Sequence, residues 1–413
     1  MFSTATALVE SDEDLLEKFD TEHLDLVKNR LNALELNSEQ LSQIMKLLQF
    51  DLTEGLKSER SVVKMLPTFV SSNKTTMKSQ TITLDLGGTG FRVYLIDSNG
   101  EIIHETIVKI PENIKRGTEN LMSFIANSLK KFFIKYKLPL NNKMPLGFTF
   151  SYPCVHNGLT SASLMRWTKG FSADGFKDKN IVQMLREACS LEQIQLGVIT
   201  LINDTVGTLL ACSLVNGDCS VGLVVATGFN IAYMENVKSV PKLKNHDKLK
   251  DYKEICINTE MGAFGENETI EPYRTDFDRL LDTNSINPKE QIFEKMISAM
   301  YLGELMRLVV RDLFEAGMIF NGKPNAISLL EGQDFFKTSN MTKIAEYNRR
   351  YEKRLTKIQS LITVDISPTF TDCAVLSHVS SLIFSRSEML TAVASVGEQI
   401  NTQQIIIGVD FFD

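Results

Sequence analysis

The sequence lacks several features that would assign it to a class directly. Its six cysteines include no Cys-x-x-Cys pair, the spacing typical of zinc sites and dithiol redox motifs. No apolar run approaches the length of a membrane span, and residues 221–226 are typical of the longest. The first ten residues have neither the basic region nor the apolar core of a signal peptide. We therefore expect reduced thiols, a cytoplasmic location and no membrane span.

An excess of positive charge is also missing. The formal net charge is -7 and the pI is near 5.5, so nothing favours nucleic acid or an anionic membrane surface as a partner. The composition is 43% hydrophobic and 23% charged, which is ordinary for a globular protein. A length of 413 residues favours two domains over one.

The most informative stretch is residues 84–93, Leu-Asp-Leu-Gly-Gly-Thr-Gly-Phe-Arg-Val. An apolar run over residues 81–86 ends in small residues and a second run covers 91–95, which predicts a strand, a tight turn and a strand. Gly87 and Gly88 would let backbone N–H groups approach a ligand that a Cβ atom would push away. The alternative is a hairpin that carries two glycines without a ligand.

The side chains around this turn suit a phosphate. Thr89 supplies a hydroxyl and Arg92 a cation, next to the backbone N–H groups of the turn. Asp85, at the end of the strand, could hold a metal ion through water. The stretch is neither a Walker loop nor a dinucleotide fingerprint, because both glycine spacings are absent.

A second strand, small-residue turn and strand is predicted about 140 residues later by the numbering, over residues 221–226, 227–230 and 231–234. Two such turns suggest two related halves that face each other across a cleft. This layout is typical of actin-like ATPase folds.

The carboxylate of Asp204 follows another apolar strand, predicted over residues 198–202. Polar groups at the C-terminal edge of a buried strand lie where α/β sheets bind ligands. Asp204 is therefore a candidate general base. The alternative is an N-cap of the helix predicted over residues 206–214, and both roles are compatible.

The rest of the chain alternates helical and strand patterns. We predict helices within residues 20–72, with an N-cap at Asn37 or Ser38. Further helices are predicted over residues 118–136, 291–315, 343–361 and 371–394, and strands over 145–150, 362–366 and 405–407.

Several polar residues stand in apolar surroundings. Glu260 and Glu294 would need hydrogen-bond partners if buried, and sugar hydroxyls are suitable donors; the alternative is exposure to solvent. Thr168 and Lys169 are either part of a functional site or part of a surface loop, and composition alone favours the surface loop.

Taken together, these stretches resemble the hexokinase and glucokinase family, in order, from about residue 24 to residue 410. The motifs that carry the resemblance are residues 84–92, 146–154, 167–171, 203–208, 257–265 and 287–304. The resemblance implies an α/β fold of the actin-like ATPase (ribonuclease H-like) class, with two lobes, a small and a large domain, around a cleft. It also implies N-terminal helices over 1–74 that pack on the large domain, a small domain over 75–205 and a large domain over 206–413.

The resemblance further implies an ATP:hexose 6-phosphotransferase that feeds glycolysis and acts as a monomer. Asp204 would take the proton from the sugar 6-hydroxyl, and Lys169 would stabilise developing charge beside it. The residues implied to bind the hexose, glucose or a relative, are Ser151, Thr168, Lys169, Asn203, Asp204, Asn230, Glu260 and Glu294. Those implied to bind ATP are Asp85, Gly87, Gly88, Thr89, Arg92, Thr227, Gly228 and Thr338, with Asp85 contacting Mg²⁺ through water.

The chain departs from the family pattern at several positions. Gly90 replaces an asparagine, and Ala226, Lys289 and Ala299 each replace a glycine. Met261 replaces a tryptophan, and residues 387–388 replace two alanines. The family pattern also continues beyond Asp410, so we expect a shortened nucleotide wall. The alternative function is therefore a hexose-binding protein with little or no kinase activity.

Overall fold

A computed structural model describes residues 21–71, 79–88, 90–117, 119–216, 219–244, 246–249, 252–332, 336–346 and 368–397. These residues divide into two compact units. We call residues 21–46 and 268–394 the helical unit, and residues 47–267 the two-sheet unit. The three-segment division made from the sequence stays a prediction. The predicted strands over 362–366 and 405–407 lie outside the described residues.

The first sheet of the two-sheet unit has five strands. Their bounds are β2 Thr81–Leu86, β3 Gly90–Ile96, β4 Ile102–Lys109, β5 Met144–Phe150 and β8 Leu196–Ile202, in the sheet order β4-β3-β2-β5-β8. Strands β2 and β3 pair antiparallel, whereas β5 runs parallel to β2 and to β8. The strict alternation of burial along β2, β3 and β5 confirms the period-two pattern of their sequence.

Three helices share one apolar core with this sheet. They are α3 Glu112–Lys115, α4 Leu121–Lys135 and α5 Ile181–Leu191. Asn120 and Asn180 cap α4 and α5, because each side-chain oxygen accepts a backbone N–H of the first turn. A short hairpin, β6 Cys154–His156 with β7 Ala162–Leu164, lies between β5 and α5 along the chain.

The second sheet has four strands. Their bounds are β1 Leu66–Pro67, β9 Val221–Val225, β10 Phe229–Asn236 and β11 Glu254–Asn258, in the sheet order β1-β11-β10-β9. The helix α6, Asp204–Asn216, packs on β9 so closely that a Cβ atom on Gly222 would lie 2.5 Å from the carbonyl oxygen of Thr205. Because α6 and β9 pack so tightly, Asp204 at the start of α6 is held at a fixed position relative to the 226–228 turn, which follows β9.

The helical unit contains α1 Thr21–Leu31, α7 Asp276–Asn284, α8 Ile292–Ile297, α9 Ala299–Glu315, α10 Ala326–Leu330, α11 Thr338–Glu346 and α12 Phe370–Gly397. Helix α2 covers Ser38–Lys57, and Asn37 is its N-cap, as predicted. The apolar faces of α1, α9 and α12 form one core, in which Val309 and Val379 are fully buried.

Three predicted elements are corrected. The predicted helical section 20–72 ends at Lys57, and Leu66–Pro67 form a strand, because proline lacks an N–H and biases the residue before it towards extended backbone. The single helix predicted over 291–315 is two helices, broken where Ser298 takes extended backbone. The helix predicted to begin at Lys343 begins at Thr338, and its predicted part beyond residue 346 lies outside the described residues.

Candidate functional site

The two strand–turn–strand motifs meet in the two-sheet unit. The first turn is closed by a hydrogen bond from Gly87 N–H to the carbonyl oxygen of Gly90, the second by one from Ala226 N–H to that of Gly228. A Cβ atom on Gly88 would lie 3.0 Å from Cγ2 of Thr227. The absence of a side chain at residue 88 therefore lets the turns approach each other.

A cavity of about 600 Å³ opens at these turns. It brings together many of the residues singled out from the sequence, namely Asp85, Gly87, Gly88, Arg92, Ser151, Lys169, Asp204, Thr227 and Gly228. Thr168 and Asn203, which are adjacent in sequence to two of these, are buried. The alternative in which residues 168–169 form an exposed loop is therefore wrong for Thr168.

Asp204 and Lys169 form the charged centre of the cavity. The ammonium Nζ of Lys169 lies 3.5 Å from Oδ2 of Asp204 and donates a hydrogen bond to the carbonyl oxygen of Ser151 at 2.9 Å. Lys169 has a left-handed backbone, with φ 54°. This geometry places a carboxylate and a cation together in a partly buried site, where their interaction is less screened than in water.

The start of α6 holds the Asp204 side chain in place. Asn203 is the N-cap, because its Oδ1 accepts the backbone N–H of Thr205 at 2.9 Å. The assignment of the cap to Asp204 is therefore corrected: Asp204 is the first helical residue. Its Oδ1 also accepts the N–H of Thr205, at 2.8 Å, which leaves Oδ2 directed to Lys169.

Asp85 and Arg92 form an ion pair across the first hairpin. They lie opposite each other in the β2–β3 register, and Nη1 of Arg92 donates to Oδ2 of Asp85 at 2.8 Å. Burial raises the pKa of Asp85 above its ordinary value, against the hydrogen bond from Arg92. Asp85 is thus a carboxylate at the strand end, beside the cavity, as the sequence predicted.

A chain of three polar side chains lies where β10 begins and β11 ends. Nδ2 of Asn230 donates to Oδ1 of Asn258 at 2.6 Å, and Nδ2 of Asn258 donates to Oε1 of Glu260 at 2.7 Å. Glu260 is buried on a left-handed backbone with φ 55°, so the alternative of an exposed side chain is wrong. Burial raises the pKa of Glu260 to about 7, against the hydrogen bond from Asn258.

The segment that carries Lys169 is fixed by aromatic packing and by an ion pair. Trp167 stacks on Phe171 and donates its indole N–H to the carbonyl oxygen of Ala173 at 2.7 Å. Arg166 forms two hydrogen bonds with the carboxylate of Glu266, at 2.7 and 3.3 Å. These contacts hold both ends of the loop in which Thr168 and Lys169 lie.

Glu294 and Thr338 belong to the helical unit. Glu294 lies in α8 and is buried, so exposure to solvent is again wrong. The next residue, Lys295, anchors α8 through an ion pair with Asp282, at 2.6 Å. Thr338 begins α11 and donates its hydroxyl to the carbonyl oxygen of Ala299, at 2.6 Å.

Two further outcomes concern the departures from the family pattern and the remaining predicted residues. Ala226 replaces a family glycine, and because its φ does not lie in the positive region, its Cβ atom causes no backbone strain. Thr89 and the segment around Asp410 lie outside the described residues.

Asn258 was the residue that sequence reasoning missed. Its signal was available, because it stands two positions before Glu260 inside the matched segment 257–265. Only its contacts with Asn230 and Glu260 show which side chains it joins.

Comparison with known proteins finds related sequences over most of the chain. Two family models, both described as hexokinase, match residues 26–214 and 220–410. Hexokinase-1 of Homo sapiens is 35% identical over 383 residues, which cover 90% of this chain and 40% of that protein. Hexokinase-2 of Equus caballus is 34% identical over 399 residues, which cover 92% and 42%. The chain thus spans about two-fifths of the length of these curated relatives.

Solved structures share the fold of this chain. A hexokinase from Schistosoma mansoni complexed with glucose matches with a TM-score of 0.87 at 32% identity, covering 95% of this chain and 89% of that one. A second crystal structure described as a hexokinase matches with a TM-score of 0.70 at 24% identity and shares the fold. The expected α/β fold of the actin-like ATPase class is confirmed. Within the described residues, no helix is long and apolar enough to span a membrane.

Proposed function

Because the chain belongs to the hexokinase family, we propose that it transfers the γ-phosphoryl group of ATP to the 6-hydroxyl of glucose or a related hexose. One observation carries this proposal. The carboxylate of Asp204 lies 3.5 Å from the ammonium of Lys169, in a cavity that the Gly87–Gly88 turn also lines. A base, a cation and a turn suited to phosphate are the groups that this transfer needs in one place.

Asp204 acts on the sugar as the general base. Its carboxylate takes the proton of the 6-hydroxyl as the oxygen attacks the γ-phosphorus, and the bond from the γ-phosphorus to the bridging oxygen breaks to release ADP. The ammonium of Lys169 stabilises the negative charge that develops nearby. Phosphoryl transfer requires positioning and charge stabilisation rather than a covalent nucleophile. The cap by Asn203 and the second hydrogen bond of Lys169, to Ser151, keep both groups in place.

Sugar recognition uses side chains on several elements of the chain. The residues that we propose to bind the ring hydroxyls are Ser151, Thr168, Asn203, Asn230, Glu260 and Glu294. All except Asn230 are buried, and the side chain of Asn230 is held by Asn258, Ile231 and Thr259. Buried polar groups that lose their partner are costly, so such a site discriminates against ligands that lack a hydroxyl.

Nucleotide binding uses the two turns. The phosphates lie against Gly87, Gly88, Thr89, Arg92, Thr227 and Gly228, and the nucleoside lies near Thr338. Asp85 would hold Mg²⁺ through water. The residues fit this ion, because Mg²⁺ binds through one or two carboxylates, substrate phosphates and waters. Among the described residues, no group of three or more His, Cys, Asp or Glu could hold a metal without such a substrate. When bound, Mg²⁺ neutralises charge on the phosphates.

A coupled assay tests the function. Glucose with MgATP is compared with MgATP alone and with glucose alone. We expect hexose 6-phosphate and ADP in equal amounts only in the complete mixture. Glucose binding without turnover would favour the hexose-binding alternative, and ADP release without sugar would favour an ATPase. The product would feed glycolysis, and we place the protein in the cytoplasm. We also propose that it is a monomer, and light scattering tests this by measuring its molar mass.

A further inference from the structure

Asn258 lies between two of the proposed sugar-binding residues and contacts both. It accepts a hydrogen bond from Asn230 at 2.6 Å and donates one to Glu260 at 2.7 Å. Asn258 is 2% exposed, so water has little access to either of its hydrogen-bonding groups. Its backbone is also fixed, because β11 is an inner strand in which Asn258 pairs with Leu66 on one side and Ala232 on the other.

The direction of these hydrogen bonds is set by the backbone. The N–H of Ile231 donates to Oδ1 of Asn230 at 2.9 Å, while the hydroxyl of Thr259 donates to the carbonyl oxygen of Ile231 at 2.8 Å. Because a backbone N–H can only donate, the oxygen of Asn230 must face it and the NH₂ group must face Asn258. The amide of Asn258 then accepts with its oxygen and donates with its nitrogen.

We propose that Asn258 is a positioning residue for sugar recognition. Because the backbone fixes which way the amide of Asn230 faces, Asn258 accepts from Asn230 and donates to Glu260. Glu260 is thereby held so that it offers the sugar an acceptor, and Asn230 offers the sugar a donor. The inference rests on the proposed function. The nitrogen of Asn230 carries two N–H groups, of which one donates to Asn258 and the other can donate to a ligand. A hydroxyl both donates and accepts, and it can therefore use both groups.

The position of Glu260 explains why such a residue is needed. Glu260 follows the end of β11, and its backbone has a left-handed conformation, which residues other than glycine and asparagine rarely adopt. The pairing of β11 with its neighbouring strands ends at Asn258, so it does not hold Glu260 in place. The donor from Asn258 fixes one carboxylate oxygen and stabilises the ionised form, whereas burial favours the protonated form.

The substitution Asn258→Asp tests the proposal. It keeps the shape of the side chain, removes the donor and places a carboxylate against that of Glu260. We expect the dissociation constant and KM for glucose to rise about tenfold or more, because a hydrogen bond to a charged group is lost. The kcat and the KM for MgATP should stay within about twofold, since the interaction is equally present in bound sugar and transition state. In the variant, the loss of glucose affinity at low pH should move to higher pH.

Asn236→Asp is the matched control. Asn236 is exposed at the end of β10, and its Oδ1 accepts the N–H of Lys238, a role that aspartate can keep. Glucose affinity should therefore not change. A rise of KM in both variants would show a general effect of added charge and would overturn the assignment.

A measurement without sugar separates this inference from the proposed function. With ¹³C-labelled glutamate, the carboxyl resonance of Glu260 is followed against pH in the ligand-free protein. Asn258→Asp should move this titration to higher pH, and Asn258→Ala should move it in the same direction without added charge. An unchanged titration would overturn the inference even in an active hexokinase. A protein that binds no hexose would overturn the proposed function and the sugar role of Asn258, although the titration would still show whether Asn258 controls Glu260. If neither variant folds, Asn258 is a structural residue and the positioning role is wrong.

Discussion

Lys169 holds its ammonium group 3.5 Å from the carboxylate of Asp204, although the two residues are 35 positions apart in the sequence. Lys169 lies in a loop stabilised by Trp167, whereas Asp204 begins a helix capped by Asn203. Each group is therefore held by its own element, and neither depends on the other for its place. Substitutions of either should change catalysis without unfolding the site.

Asp204→Ala should lower kcat by about 10²–10⁴, because a general base is lost, while glucose binding largely remains. Turnover and calorimetric glucose affinity are measured on the same preparation. Asp276→Ala is the control, since Asp276 is likewise the first residue of a helix but its side chain is 97% exposed. A near-normal kcat for the Asp204 variant would rule out its role as the base.

Glucose affinity should depend on pH through Glu260. The pKa of this carboxyl is raised to about 7 by burial, so below pH 7 the protonated form dominates, which is a weaker acceptor for the sugar hydroxyls. Affinity should fall about tenfold between pH 8 and pH 6 if only the ionised form binds. Calorimetry at several pH values checks this.

Glu260→Gln should bind glucose more weakly at pH 8 and should lack this dependence, because an amide does not titrate in this range. Glu268→Gln is the control, since Glu268 is a nearby glutamate that is exposed to solvent. If the wild-type affinity is flat from pH 6 to pH 8, the carboxylate of Glu260 does not accept from the sugar.

The close approach of the two turns should limit which side chain residue 88 can carry. In Gly88→Ala, the new methyl group would lie 3.0 Å from Cγ2 of Thr227 and 3.2 Å from Cβ of Lys169, so these neighbours must shift. We expect a higher KM for MgATP and a lower kcat. Gly90→Ala is the control in the same hairpin, because its Cβ would meet no atom within 4 Å. Equal effects of the two substitutions would contradict this explanation.

Lys289→Gly should stabilise the protein. Lys289 has φ 67°, a region that glycine adopts without the steric cost of a Cβ atom. The backbone hydrogen bond from residue 289 to Asp282 does not need the side chain. The free energy of unfolding should rise by about 0.5–1 kcal/mol in urea titrations, because the left-handed strain that is relieved, about 1–2 kcal/mol, exceeds the entropy cost of glycine, about 0.5–1 kcal/mol. Lys177→Gly, in an exposed turn where φ is not positive, should instead give no gain.

The buried ion pair between Arg386 and Asp278 should be essential for the stability of the helical unit. Two hydrogen bonds of 2.9 and 2.7 Å join these side chains, which are 1% and 4% exposed. Arg386→Met should lower the free energy of unfolding by about 3–5 kcal/mol, because a buried carboxylate is left without its cation. Arg311→Met breaks an exposed pair with Glu315 and should cost under about 1 kcal/mol.

The same pair predicts a pH dependence of stability. Burial acts to raise the pKa of Asp278, but Arg386 and Thr275 together hold it below its ordinary value. A depressed carboxyl pKa contributes stability above the unfolded-state pKa and loses it as pH falls through the folded-state value. Acid unfolding should therefore begin at higher pH in Arg386→Met than in the wild type. An unshifted acid transition would contradict this.

The local patterns of the sequence determined much of the site. The alternation of residues 81–96 predicted the β2–β3 hairpin, because side chains on a strand face opposite sides in turn. The position of Asp204 after an apolar strand predicted its place at the start of a helix. Both are properties of a few neighbouring residues, so a linear reading finds them.

Only the tertiary structure decided which distant groups meet. The contact of Gly88 with Thr227 depends on how two sheets pack, and no local pattern encodes it. The hydrogen bonds from Asn230 through Asn258 to Glu260 depend on strand register and on one backbone donor, Ile231. Burial, which raises the pKa of Glu260 to about 7, likewise results from the packing around it. The sequence thus determines the residue types and the local elements, whereas the fold determines their partners and charge states, because both depend on atoms far away along the chain.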